Sequence, residues 1–126
     1  MLKFFTTVIA LLFLYQSAAI AGQGSPADRN KAAECLVSYM LITDPSWKAG
    51  KDPAAEINIL MASDKLVKLQ QRYPSEMKII KELAYNKIAP RWMKKIEGNQ
   101  SSLRGLISGG ANACGKFVKS YPDLKY

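Results

Sequence analysis

Two cysteines, Cys35 and Cys114, limit most strongly what this chain can fold into, because they are the only two and lie far apart. A bridge between them would close a loop of about 80 residues and tie the beginning of the folded part to its end. The pair lacks the Cys-x-x-Cys spacing that is typical of redox-active thiols. We therefore predict a structural disulfide formed in an oxidising compartment, and two free thiols are the alternative.

The amino-terminal segment has the three parts of a secretory signal peptide. Lys3 supplies the positive charge, residues 4–14 form an apolar run interrupted by two threonines, and small side chains precede Gly22. Because signal peptidase requires small side chains at positions −3 and −1, we predict cleavage between Ala21 and Gly22, with Ala19 as the second choice. A transmembrane anchor, the alternative, would need about 20 predominantly apolar residues, and this run is about half as long.

We thus predict a signal peptide over residues 1–21 and a single domain over residues 22–126, which is the length of one modest hydrophobic core. The whole chain carries a net charge of +8, and cleavage of the signal peptide would remove only the positive charge of Lys3. The expected destination is the bacterial periplasm, or secretion, where a disulfide can persist.

Apolar residues recur at intervals of three and four through this domain, the period of helices that bury one face. Ser25 and Pro26 form a helix start, with serine as the N-cap and proline in the first turn. No segment shows sustained alternation of apolar and polar residues, so we predict an all-α bundle of four to five short helices, with the first and last joined by the disulfide. The predicted buried positions are Ala32, Cys35, Leu36, Tyr39, Met40 and Thr43 in the first segment; Ala55, Ile59, Ala62, Leu66, Leu69 and Tyr73 in the second; Met77, Ile80, Ala84, Ile88, Trp92 and Ile96 in the third; and Leu103, Ile107, Gly110, Cys114, Phe117 and Tyr121 in the last.

Three interruptions leave structural alternatives open. Pro90 lies inside the third pattern and removes a backbone donor, so a kink or a restart is expected there. Gly109 and Gly110 either let a neighbouring helix approach closely or break the last helix in two. Pro74 is expected to end the second helix, with Ser75 as the cap of the third.

Several kinds of chemistry are disfavoured by residue types that the sequence lacks. The chain has no histidine, which removes the commonest general base and the usual zinc ligand. It also has no phosphate-binding glycine loop and no cluster of acids suited to calcium. Its scattered glutamates have ordinary explanations in helix dipoles and ion pairs. We therefore predict a protein without catalytic residues, metal or cofactor, and a cell-envelope hydrolase that uses two carboxylates is the less favoured alternative.

The segment that most suggests a binding surface is residues 78–95, which is basic and has Glu82 as its only acid. Such a surface can dock onto an acidic protein, or onto anionic lipid or another polyanion with Trp92 inserted at the interface. The ordinary alternative is a solvated lysine face with Trp92 in the core. Trp47 is a second candidate, either as an exposed interface anchor or folded back over the end of the bundle. The candidate binding residues are Lys78, Lys81, Lys87, Arg91, Trp92, Lys94, Lys95 and Trp47.

Taken together, these features predict an exported, non-enzymatic binding or inhibitor-type module that uses a basic face against an acidic protein surface. A binder of anionic membrane surfaces or polyanions is the alternative. The plan of signal peptide, small helical bundle and single disulfide resembles that of small periplasmic proteins, among them inhibitors and immunity proteins of the type VI secretion system. The resemblance is one of architecture and implies no role for an individual residue.

Overall fold

A computed structural model describes residues 23–44, 53–97 and 100–124, and the regular structure in these ranges is entirely helical. The third and fourth α-helices and the π-helical turn between them follow one another without a break, so the described residues form four rods. The predicted all-α bundle is confirmed. The elements are α1 (Pro26–Thr43), α2 (Pro53–Arg72), α3 (Pro74–Leu83), the π-helical turn (Ala84–Ile88), α4 (Ala89–Ile96) and α5 (Gln100–Lys119).

Three sequence predictions concern residues outside these ranges. They are the signal peptide over residues 1–21, its cleavage between Ala21 and Gly22, and the role of Trp47. All three stay predictions.

The start of α1 is fixed by the residues that the sequence singles out. The Ser25 hydroxyl accepts a hydrogen bond from the Asp28 backbone N–H at 3.1 Å, and the Asp28 carboxylate accepts one from the Ser25 N–H at 3.2 Å. Pro26 occupies the first turn, where a missing N–H costs nothing. This reciprocal capping box satisfies two donors that a helix otherwise leaves unpaired.

Helix α1 is the central rod, because α2, α3, the π-helical turn and α5 all pack against it. The single buried face predicted for α1 is therefore too narrow. Further positions are buried, whereas Leu36, Tyr39 and Met40 are only half-buried and Thr43 is exposed. A helix surrounded on several sides has no clear polar face, so its periodicity is a weak guide to its contacts. The additional buried residues of α1 are Ala33, Val37, Ser38 and Leu41.

The predicted disulfide is present between Cys35 on α1 and Cys114 on α5. Their Cα atoms are 4.7 Å apart, within the range that a disulfide requires. Both side chains are completely buried, so the bridge lies inside the core and joins the first described helix to the last.

The predicted faces of the other rods are confirmed, with Tyr73 half-buried rather than fully buried. These rods each turn one side toward the core, so a three-and-four spacing identifies the side correctly. Phe117 is completely buried and contacts Tyr121 in an edge-on arrangement, with 5.9 Å between ring centroids.

At Pro90 the α-helical geometry restarts, one of the two predicted alternatives, without a gap in the rod: α4 begins at Ala89, and Pro90 lies in its first turn. A proline in an α-helix clashes with the carbonyl four residues earlier and lacks its own N–H. Here the π-helical turn precedes it, and the Ala89 N–H donates to the carbonyl of Ala84, five residues back. The wider turn also suits the spacing of the buried residues from Ile80 to Ile96, which advances by four and drifts about 40° per step around an α-helix.

The beginning of α3 differs from the prediction by one turn position. Pro74 is itself the first residue of the helix, and Tyr73 precedes it as an N-cap without a side-chain hydrogen bond. Ser75 therefore lies inside the first turn and does not cap the helix, because proline's fixed φ already starts it.

Gly110 marks a close approach of α5 to α1. A Cβ atom at this position would overlap the hydroxyl of Ser38, whose side chain is completely buried and donates to the Glu34 carbonyl at 2.9 Å. A Cβ at Gly109 would meet nothing within 4 Å. Of the two alternatives, close packing is confirmed, and α5 runs unbroken through both glycines.

The two neighbouring glycines give a matched test of this packing. Gly110→Ala is expected to lower the free energy of unfolding by about 1–3 kcal/mol, because Ser38 must move to make room. Gly109→Ala is expected to raise it by about 0.5–1 kcal/mol, because alanine favours a helix and space is available. Urea unfolding of the two variants measures both changes, and two changes of the same sign would contradict the packing described.

Candidate functional site

Five of the six predicted cations on the third rod are exposed, and Lys81 is half-exposed. None of their side chains makes an ion pair or hydrogen bond with another described residue. Two ion pairs, Arg29 with Glu76 and Lys31 with Glu34, lie elsewhere in the described ranges. The six charges are thus available to a ligand. We call this set the basic surface: Lys78, Lys81, Lys87, Arg91, Lys94 and Lys95.

Trp92 does not belong to this surface. Its side chain is 6 % exposed, and its Cη2 atom would lie 3.4 Å from a Cβ placed at Gly110. The alternative interpretation, in which Trp92 is a core residue, is the one that the structure supports. The apolar side chain exposed between the cations of α4 is instead Met93, which is 45 % exposed.

An apolar groove of about 390 Å³, which no sequence pattern predicted, lies between α1, α2 and α3. Leu36 and Tyr39 contribute from α1, Leu66 and Val67 from α2, and Met77 from α3. Val67 is 53 % exposed. We call this feature the apolar groove.

A second cleft, of about 300 Å³, adjoins the apolar groove. The two have Gln70 and Lys81 in common among their lining residues. Lys78 and Tyr85 also line the second cleft, together with one acid, Glu82. We call it the basic cleft, since two cations face it against one carboxylate.

Gln70 lines both the apolar groove and the basic cleft, and one of its polar atoms has no hydrogen-bond partner within the described ranges. Its Oε1 atom is buried and accepts no hydrogen bond from any residue that the structure describes. A buried acceptor without a donor costs about 1–3 kcal/mol. Native proteins rarely leave such an atom unpaired without a reason.

A separate cluster around Glu76 is polar but structural. The Glu76 carboxylate accepts two hydrogen bonds from the Arg29 guanidinium, at 2.7 and 2.9 Å, one from the Gly24 N–H at 3.0 Å and one from the Tyr121 hydroxyl at 2.9 Å. Burial alone would raise the pKa of this carboxyl, but these donors and the guanidinium charge lower it below its ordinary value. A carboxylate held ionised in this way is suited to joining α1, α3 and the chain after α5.

Lys65 has a similar structural role at the end of α5. Its ammonium group is almost completely buried and donates to the backbone carbonyls of Val118, at 2.6 Å, and Ser120. It also lies 5.8 Å from the centre of the Phe117 ring. Burial lowers the pKa of Lys65. A cation that closes the last carbonyls of α5 stabilises the helix end.

Within the described ranges, no three His, Cys, Asp or Glu side chains come together in a way that could hold a metal ion. Of the helices that the structure describes, none has both the length and the apolar character needed to cross a bilayer. Comparison of the chain with models of known protein families, with curated proteins and with solved structures gave no match.

Proposed function

We propose that this protein is an exported binding module that docks onto an acidic surface of a partner protein through the basic surface. The observation that supports this most directly is the freedom of its six cations, none of which forms an ion pair with a described acid. A buried disulfide is compatible with a protein that folds outside the cytoplasm.

The excess of positive charge along one rod favours recognition of a partner of the opposite sign. Complementary potentials accelerate encounter and disfavour wrong partners, and exposed charges are screened within about 10 Å at 0.1 M salt. Binding by this route should therefore weaken as salt is added. An interface built mainly on apolar contact would depend much less on salt.

The anionic-lipid alternative has less support than the protein-binding one. It relied on Trp92 as an aromatic anchor at the membrane surface, and that indole is buried. Met93 is the exposed apolar group among the cations of α4, and one methionine gives a weak hold on a bilayer.

A charge-reversed variant tests the proposal. Lys87→Glu, Arg91→Glu and Lys94→Glu together are expected to weaken partner capture at least about tenfold, since three exposed ion pairs contribute roughly 0.5–1 kcal/mol each. The oxidised protein is immobilised and exposed to envelope extract of its own organism, and the retained proteins are quantified by mass spectrometry. Raising salt from about 50 to about 300 mM should release the same proteins from the unmodified protein.

The control has the same change of charge in another place. Arg104, Lys116 and Lys119 are exposed on α5, and their joint change to glutamate should leave capture within about twofold. Equal losses in the two variants would show that only net charge matters, and capture that resists both salt and reversal would refute the proposal. Retention of the protein by phosphatidylglycerol vesicles, with no captured protein, would favour the lipid alternative.

A further inference from the structure

We infer that the partner is recognised as a peptide segment that places a large apolar side chain in the apolar groove and pairs an adjacent carboxylate with Lys78 and Lys81. This inference rests on the proposed function and specifies the chemistry of the ligand. It adds a site on α1, α2 and α3 that shares Lys78 and Lys81 with the basic surface.

The groove provides the apolar part of the recognition. Its volume of about 390 Å³ is enough to enclose a large side chain, and it lies at the small end of the range of roughly 300–1,000 Å³ for ligand pockets. Leu66 and Met77 are buried, and Val67 remains half-exposed beside them. An apolar anchor inserted in a preformed pocket is the usual centre of a protein interface.

The proposed partner is a protein, so the occupant of the groove is a peptide of that partner, and a fatty acid is the alternative that the test must exclude.

The basic cleft selects for an acid beside the anchor. Lys81 lines both the groove and the cleft, and Lys78 lies with it in the cleft. The one acid there, Glu82, leaves an excess of positive charge. A carboxylate one or two residues from the anchor would thus meet two ammonium groups, which makes the ligand an acidic segment with an apolar residue.

The test begins with random peptides displayed on phage and selected against the oxidised protein. The enriched sequences should combine Asp or Glu with a neighbouring large apolar residue. A fluorescent synthetic copy of the most enriched peptide then serves as the probe, and its affinity is measured by anisotropy. Lys81→Glu should weaken binding of this probe at least about tenfold, because it replaces attraction by repulsion.

Two variants on one helix separate the groove from the general surface. Val67→Glu places a carboxylate at the groove and should weaken the probe at least about tenfold. Ile57→Glu is the matched control, since Ile57 is also β-branched, lies on α2, and is 56 % exposed against 53 % for Val67, but does not line the groove. It should change affinity by less than about twofold.

The outcomes distinguish this inference from the proposed function. Failure to enrich any peptide, or equal binding by the Val67→Glu variant, would overturn the groove as a peptide site, and binding of decanoate alone would assign the groove to a lipid. If capture from extract still depends on Lys87, Arg91 and Lys94, the proposed function stands without the groove. Loss of that dependence removes the proposed function itself.

Discussion

Replacing both cysteines, Cys35→Ala together with Cys114→Ala, is expected to lower the free energy of unfolding by about 4–5 kcal/mol. A bridge across 79 positions removes roughly this much freedom from the unfolded chain. The two sulfur atoms are also completely buried, so their loss leaves small voids in the core that add to the cost. A domain of this kind has only about 5–15 kcal/mol of stability in total.

Thermal and urea unfolding followed by circular dichroism measure this loss. One kcal/mol corresponds to about 4–8 °C in a domain of this size, so the midpoint should fall by roughly 16–40 °C. The unmodified protein, reduced and alkylated after unfolding, is the control for loss of the bridge without alanine. A decrease of less than about 1 kcal/mol would mean that the bridge contributes little to stability.

Glu76→Gln is expected to lower the free energy of unfolding by about 3 kcal/mol. The change leaves the Arg29 guanidinium, which is 19 % exposed, without its counter-charge and weakens the hydrogen bonds from Gly24 and Tyr121. Breaking a buried pair by removing one partner costs about 3–5 kcal/mol, and the partial access of water to Arg29 favours the lower end. Glu82→Gln, at an exposed glutamate of the same helix, should cost less than about 0.5 kcal/mol.

The Glu76→Gln variant should also be less sensitive to acid than the unmodified protein. The pKa of Glu76 in the fold is lower than its ordinary value of 4.5, so its ionised form stabilises the fold above that pH. This contribution disappears as the pH falls below 4.5 and through the lowered value. Unfolding measured from neutral pH downward should thus show a shallower decline in Glu76→Gln than in Glu82→Gln. Equal slopes would contradict the coupling, although Asp28, whose pKa is also lowered, leaves a residual slope in both.

Periodicity predicted the buried residues of rods that contact the core on one side, and it failed for the rod in the middle. In α2 the spacing from Ala55 to Leu69 identifies the buried face because the other side meets solvent. In α1, Val37 and Leu41 lie off the predicted face, and they are buried because several helices surround them. Which helix is central depends on the packing of all four rods, which no local pattern contains.

Some features of the candidate site could also be predicted from the sequence, and others could not. The cations from Lys78 to Lys95 could be expected at the surface, since an unpaired charge is costly to bury. The apolar groove could not be predicted, because three helices build it. Glu76 lies in the first turn of its helix, so in the sequence the helix dipole alone explains its presence. Its ion pair with Arg29 joins positions 47 residues apart and could not be predicted from local spacing. The burial of Lys65 against Val118 depends on a contact across 53 residues and gives no local signal either.

The Gly24 N–H and the Tyr121 hydroxyl reach the same oxygen of Glu76, so the two ends of the described domain lie side by side. The disulfide between Cys35 and Cys114 closes most of the described chain into a covalent loop, and the segments outside the loop end near each other. A short linker can therefore splice the ends, and circular permutants opened elsewhere should keep the native contacts. Any fusion partner or dye attached at either end will emerge from the same pole of the bundle.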